Sequence, residues 1–243
     1  MVLRGRLRNQ VVFKALYGLS RSNLIMTFFF TTIFILLCIS TNYWLLLAFP
    51  ALWMFRYHRH MIFEIFILGH IIENSLGIWE WYSQVDDDIY LGAIPMESMA
   101  HLSIIALDLN VQAVLSIVEE YEFYCGTLAG LPLNPSDWKR DDMSHLHLSS
   151  RDFLPPSIQV LDKGSEWINE QVINGKKVYC HCKSGIGRSA SVVMAYFMRY
   201  KRMTAHYAYK ELKQRRPYIF GEQSAQFRNM VAYETHCRKS DGT

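Results

Sequence analysis

The run Val178-Tyr-Cys-His-Cys-Lys-Ser-Gly-Ile-Gly-Arg-Ser-Ala190 constrains this chain more than any other stretch. Val178 and Tyr179 favour a strand, and Ser189–Tyr200 is long and apolar enough for a helix. Only five residues separate Cys182 from Arg188. The chain between strand and helix must therefore curl tightly, and Gly185 and Gly187 are expected to supply the positive φ angles of the curl. Successive backbone N–H groups then point inward at a helix N-terminus, where the positive end of the helix dipole also lies. The result is a cradle sized for a tetrahedral oxyanion such as phosphate.

A cysteine on a strand is by default a small buried hydrophobe. At the base of such a cradle its chemistry changes. A free thiol has a pKa of about 8.5, and a helix N-terminus with a nearby arginine lowers it to about 3.5–7.5. Cys182 is then a standing nucleophile facing a bound phosphate. Arg188 brings a planar fork that can hold two phosphate oxygens and follow them as they become equatorial in the transition state. Ser189 can donate a hydrogen bond to the sulfur, and its hydroxyl equally suits a helix N-cap. Cys-x5-Arg alone would be weak. Together with His181, Gly185 and Ser189 it is a joint pattern.

His-Cys-x5-Arg-Ser resembles the signature of the cysteine-dependent protein tyrosine and dual-specificity phosphatase superfamily. The surrounding sequence resembles in particular the mitochondrial branch that dephosphorylates phosphatidylglycerophosphate. Three further stretches carry that likeness: Tyr90-Leu-Gly-Ala-Ile-Pro95, Glu119-Glu-Tyr-Glu122 and Leu148-Ser-Ser-Arg-Asp-Phe153. The resemblance spans roughly residues 78–236 and leaves the N-terminal third uncovered. It implies an α/β fold, a central sheet flanked by helices, and a phosphocysteine intermediate. It implies Cys182 as nucleophile, Arg188 and the loop Lys183-Ser184-Gly185-Ile186-Gly187 as phosphate binders, and Glu120 and Tyr121 at the substrate rim. Ile186-Gly187 departs from that branch, which carries a basic and a small polar residue there, and looks like ordinary dual-specificity enzymes.

Such a mechanism needs an acid to protonate the leaving oxygen and then a base to activate water. Asp152 lies 30 residues before Cys182 on a loop that follows a strand, and the resemblance puts the family's general acid there. Its rivals Asp137, Asp141 and Asp142 precede that strand and sit among Lys139 and Arg140. His181 is expected to order the loop through backbone contacts. No cofactor is implied. Cys180-His181-Cys182 lacks the second ligand pair of a zinc site, so no metal is expected. Cys180 reads as an inward strand residue, or as a partner that protects Cys182 in a reversible disulfide.

The N-terminal third is a different kind of sequence. Residues 1–63 contain no Asp or Glu, while Arg4, Arg6, Arg8, Lys14, Arg21, Arg56 and Arg59 are basic. Residues 1–23 resemble a mitochondrial presequence, or serve as a positive flank to the apolar run beyond them. Residues 24–55 carry no charge. As helix this run would span about 48 Å against a hydrocarbon core of about 30 Å, which predicts a tilted transmembrane segment from Leu24 to Phe49, with Pro50 as its exit or a kink. Residues 56–77 read as a juxtamembrane helix with Ile62, Ile65, Phe66 and Gly69 at helical spacing. It either lies at the interface or packs on the catalytic domain. Its histidines read as polar-face residues.

The remainder, residues 78–238 with a tail at 239–243, is expected to be the catalytic domain. Strands are predicted at 89–91, 111–118, 146–149 and 178–181, and helices at 96–107, 157–172, 189–200, 204–215 and 224–236. Net charge of only +3 gives no reason to expect a nucleic-acid partner. Five cysteines without a spacing framework fit a reducing compartment. Three functions fit these features. A membrane-anchored phosphatase of phosphatidylglycerophosphate, in cardiolipin biosynthesis at the mitochondrial inner membrane, leads. A dual-specificity protein phosphatase and a non-catalytic phosphate-binding module are the alternatives.

Overall fold

The computed structural model describes residue 32, residues 43–140 and residues 143–240. Most of the segment expected to cross a membrane, and all of residues 1–23, lie outside the described residues. Among the described residues no helix is long and apolar enough to cross a membrane. Helix α1 runs from Tyr43 to Ser75 without a break. The sequence reading divides this stretch at Phe55 and places an exit or kink at Pro50. The helix continues through both, so Pro50 is not its exit; a proline removes one backbone hydrogen bond, and neighbouring turns can carry the helix across it. It ends where Gly77 takes φ +69° and the Ile78 N–H returns to the Glu73 carbonyl at 2.9 Å.

Beyond α1 lies a five-stranded sheet: β1 (Tyr82–Asp86), β2 (Ile89–Gly92), β3 (Ala113–Ser116), β4 (Ser144–His147) and β5 (Val178–His181), in the spatial order β1-β2-β5-β3-β4. β1 and β2 form an antiparallel hairpin, whereas β5 is parallel to both β2 and β3, and β3 to β4. β5 is thus the middle strand. The C-terminal ends of β2, β3, β4 and β5 share one edge, the edge at which open α/β sheets bind ligands. β1 is absent from the sequence expectation, since its alternation is masked by the acidic turn that closes the hairpin.

Each face of the sheet has its own core. Ala113, Leu115, Val178 and Cys180 face the larger one. Val114 and Tyr179 face a smaller one with Trp138 and Ile105. Helices α2 (Pro135–Arg140), α3 (Ile158–Ile173), α4 (Arg188–Tyr200), α5 (Ala205–Arg215) and α6 (Ala225–Ser240) complete the chain. α4 is enclosed by α3, α5 and α6. Eleven of its residues are buried, so its first turn is held by packing on all sides. α3 approaches α4 closely at Gly164, where a Cβ would stand 2.6 Å from Val192 Cγ1. The helix expected over 96–107 is not regular. It is a 3-10 turn, one α turn and a π turn in succession, interrupted at Ala100 with φ +56°.

Candidate active site

β5 delivers His181, and the signature loop begins at the sheet edge. Gly185 has φ +67°, as expected, and a Cβ there would lie 2.5 Å from the backbone of Gly92. Gly187 does not share that geometry. Its φ is −110° and it caps α4, which begins at Arg188. Ser189 is therefore not the cap. It sits inside the first turn and donates its hydroxyl to Cys182 Sγ at 3.2 Å.

The loop carbonyls explain how the cradle is held open. Lys183 O accepts from Ile94 N–H at 3.2 Å. Ser184 O and Gly185 O accept from the Arg216 guanidinium at 3.3 and 3.0 Å. Ile186 O accepts from Phe220 N–H at 3.2 Å, and Gly187 O from Ser191 N–H at 2.9 Å. Every carbonyl from 183 to 187 is thus bonded away from the cradle. Across a trans peptide the N–H points opposite its C=O, so the corresponding amides are turned inward. Arg216 is fully buried and also donates to Ser83 Oγ at 3.1 Å and Glu80 O at 3.2 Å. The sequence gives no hint of this role, since Arg215-Arg216-Pro217 reads as a helix end.

Cys182 is buried at the base. Burial alone pushes its thiol pKa up. The Arg188 charge, the Ser189 hydroxyl and the amides of Ser189 and Ser184 outweigh this and hold it below the ordinary value. His181 accompanies it on β5. Its Nε2 meets Ser116 Oγ at 2.7 Å and its Nδ1 lies 3.3 Å from Cys182 O. Burial drives its pKa down to about 3, so the ring is neutral and serves as a brace.

Arg188 is gripped from β3's side. The turn after β3 is a 3-10 helix, Glu120–Tyr124, closed by a capping box between Glu119 and Glu122. Glu122 is fully buried and takes Arg188 in a two-point pair, NH1 to Oε2 at 2.6 Å and NH2 to Oε1 at 3.0 Å. Arg188 NH1 also donates to Ser150 O at 3.0 Å. Of the acidic motif, it is Glu122 that reaches the signature arginine. Glu120 is exposed, and the Tyr121 ring lies under the Arg59 guanidinium of α1 at 4.3 Å. The i, i+3 spacing of Glu119 and Glu122 was the available signal for an inward Glu122.

The loop after β4 brings in Asp152. Its Oδ1 lies 2.9 Å from Arg188 NH2, and its Oδ2 pairs with Lys183 Nζ. Its backbone N–H donates to Glu119 Oε1 at 3.3 Å. Phe153 comes next in the left-handed region, φ +62°, a costly conformation for a bulky residue. Asp137 engages Asn134 N–H at 2.9 Å at the start of α2. Asp141 and Asp142 lie outside the described residues. Lys183 is buried between Phe66 of α1 and Phe153, with Nζ 4.2 and 4.6 Å from the two ring centres.

α1 itself corrects the sequence reading. Phe63, Ile67 and His70 are buried against the domain, Ile62 and Ile65 stay exposed, and Phe66, partly exposed, covers Lys183, so His70 is not on a polar face. Glu64 accepts from Leu128 N–H at 3.1 Å and Arg59 pairs with Glu119. Among the described residues no cluster of ligating side chains suits a metal ion.

A buried thiol of lowered pKa beneath inward amides, an arginine fixed by a buried carboxylate and an aspartate at the mouth have the arrangement of a cysteine-dependent phosphatase site. The catalytic-domain profile of the dual specificity phosphatases matches residues 89–236, and the chain belongs to that family. It is 32% identical over 143 residues to the human "Phosphatidylglycerophosphatase and protein-tyrosine phosphatase 1", covering 58% of this chain and 67% of that one. It is 30% identical over 171 residues to "Phosphatidylglycerophosphate phosphatase PTPMT1" of Arabidopsis thaliana, 69% of this chain and 47% of that one. The crystal structure of PTPMT1 in complex with PI(5)P superposes with a TM-score of 0.59 at 27% identity, over 67% of this chain and 99% of that one. The protein is a phosphatase of phosphate monoesters.

Proposed function

We propose that the chain dephosphorylates phosphatidylglycerophosphate at a membrane through a phosphocysteine intermediate. The Cys182 thiolate attacks phosphorus, the P–O ester bond breaks, and Asp152 gives its proton to the departing alcohol oxygen. Asp152 then takes a proton from water as that water attacks the phosphocysteine. The P–S bond breaks, inorganic phosphate forms, and Ser189 hydrogen-bonds the departing sulfur. Arg188 and the inward amides of residues 184–188 hold the phosphoryl oxygens, whose charge they are placed to stabilise. An incoming phosphate competes with Asp152 for Arg188, which frees that carboxyl for its role at the leaving oxygen.

The observation that carries the lipid reading is the mouth of the site. Phe66 is 38% and Phe153 63% exposed, and the two rings flank Lys183; Leu154, next in the chain after Phe153, is exposed as well. Ile62 and Ile65 extend this apolar rim along α1. A phosphoryl group carried on a lipid headgroup suits such an entrance, and similarity to proteins named for phosphatidylglycerophosphate supports it. The acid-free residues 1–63 and the uncharged run 24–55 support a mitochondrial membrane as the setting, with the inner membrane and cardiolipin synthesis as its context.

Phosphate release from the purified full chain, with phosphatidylglycerophosphate in mixed micelles set against phosphotyrosine and phosphothreonine peptides, tests this. A preference for the lipid of tenfold or more in kcat/KM is expected, about 1.4 kcal/mol of discrimination. Equal or better turnover of peptides assigns the chain to protein dephosphorylation instead.

A further inference from the structure

α1 lies before residue 89, where the match to the phosphatase catalytic domain begins. One of its side chains nevertheless reaches the signature loop. His70 is 7% exposed, and its Nε2 meets Ser184 Oγ at 2.8 Å. Its ring stacks on Trp79 at 4.2 Å with an 11° interplanar angle. Its Nδ1 faces Glu73 Oε2 at 3.3 Å. A carboxylate only accepts, so Nδ1 carries the proton and Nε2 accepts from the serine hydroxyl. The stacked ring has little freedom, and the hydrogen bond it makes is correspondingly fixed in direction.

Ser184 stands two residues after the nucleophile. Its amide is one of the groups that hold the Cys182 thiol pKa down, and its carbonyl is bonded to Arg216. The residue is thus held at two points, the carbonyl by Arg216 from the α5 end and the hydroxyl by His70 from α1. With the hydroxyl bond gone, the residue is free to turn about its own Cα between its two peptide planes, and the amide no longer faces the sulfur squarely. The charged groups around the ring are Glu73 on its own helix, and Lys183 and Arg216 from the loop and the α5 end. Burial outweighs Glu73 and holds the imidazole pKa below its ordinary value, so the neutral, accepting form persists near neutrality.

We propose that His70 is a positioning residue of the phosphatase site, fixing Ser184 so that the loop amides face Cys182, and that α1 is in this sense a working part of the catalytic unit. The inference rests on phosphatase chemistry and is independent of whether the substrate is lipid or protein. The test uses the full chain and p-nitrophenyl phosphate, with Cys182→Ser as the control that separates loss of positioning from absence of the chemistry. His70→Leu and Ser184→Ala are each expected to lower kcat about tenfold with KM changed less than about twofold, the size of one orienting hydrogen bond. Both are expected to raise the pH at which iodoacetamide alkylates Cys182 at half its maximal rate. The double variant is expected to be no worse than either single one, and His70→Gln, whose amide oxygen can accept the same bond, to recover activity to within about threefold. Additive losses, an unmoved alkylation profile, or a glutamine variant as impaired as the leucine one overturn the proposal. If His70→Leu fails to fold, Ser184→Ala decides alone, since it removes only a hydroxyl, and full activity in that variant overturns the proposal equally.

Discussion

Glu122 and Arg188 form a fully buried, two-point ion pair, 2.6 and 3.0 Å, that crosses from the turn after β3 to the first residue of α4. The pair fixes the rotation of the guanidinium about its own axis, which a single contact would leave free. Removing one partner of a buried pair strands the other charge. Glu122→Ala is therefore expected to destabilise the protein by about 3 kcal/mol or more. Its Tm, read by circular dichroism, is expected to fall on the order of 10 °C for a chain of this size. Glu122→Gln keeps the shape but not the charge. It is expected to fold, with kcat/KM lowered at least tenfold and weaker inhibition by orthovanadate. An unchanged vanadate affinity in the glutamine variant would show that Arg188 needs no such brace.

The cysteines make a second, pH-dependent prediction. The Cys182 thiol is held below its ordinary pKa, so its thiolate stays populated as pH falls through the usual thiol range and is lost only below the lowered value. Burial pushes Cys125 the other way, up to about 12, and Cys180 well above the ordinary value, so both remain thiols at neutral pH. Iodoacetamide at pH 6.5, with peptide mass spectrometry as the readout, should label Cys182 well ahead of Cys125 and Cys180. Ser189→Ala removes a donor that favours the thiolate, so the alkylation profile should move to higher pH. The same variant should accumulate phosphocysteine, because the sulfur leaves less readily in the second step.

The chemistry of the loop was legible in the sequence because it is local. Cys182, Arg188 and Gly185 lie within one turn-sized window, and residue type and spacing leave few ways to fold it. Asp152 was reachable because a loop after a parallel strand must emerge at the ligand edge of the sheet. What escaped is long-range. Arg216 reaches Gly185, and His70 reaches Ser184, across separations of 31 and 114 residues, with no periodicity to announce them. The inward face of α1 was hidden for a related reason. Its two faces are both apolar, so hydropathy could not say that Phe63 and Ile67, and not Ile62 and Ile65, turn inward. The irregular stretch at 97–108 reads as helix by composition; the left-handed Ala100 that breaks it is spanned by a local side-chain bond, Met96 N–H to His101 Nδ1 at 3.0 Å, which composition does not announce.

Asp152 touches both cations of the mouth, Arg188 and Lys183, and no other described aspartate does. As the proposed proton donor it would matter in proportion to how badly the leaving oxygen needs a proton. Asp152→Asn is expected to cost about 10²–10⁴ in kcat with an alkyl phosphate. The loss should be much smaller with p-nitrophenyl phosphate, whose phenolate leaves without help. Measuring both substrates on the same preparation separates an acid from a mere salt-bridge partner, for which the two losses would be equal. Cys182 should still be trapped by phosphate in this variant, since the nucleophile is untouched.

Gly185 joins the fold to the chemistry at a single backbone position. Its φ of +67° is a conformation that L residues adopt at a cost of about 1–2 kcal/mol. Space is the larger obstacle. An added Cβ would lie 2.5 Å from both the carbonyl carbon and oxygen of Gly92, and 2.9 Å from the Arg216 guanidinium. The first two are backbone atoms of β2, and the adjoining Ala93 carbonyl is itself tied to Tyr179 Oη at 2.8 Å, so β2 has little room to yield. The loop must yield instead. Gly185→Ala is expected to displace the 184–186 peptides, break the bond from Arg216 Nε to Gly185 O, and lower kcat/KM by about 10²-fold, in line with a displacement of about 1 Å at a catalytic group. The fall in Tm should be smaller than that of Glu122→Ala, since no buried charge is stranded. Phosphate or vanadate binding by calorimetry distinguishes the cause. A distorted cradle binds the anion weakly, whereas wild-type affinity with low turnover would place the damage at the nucleophile and not at the amides.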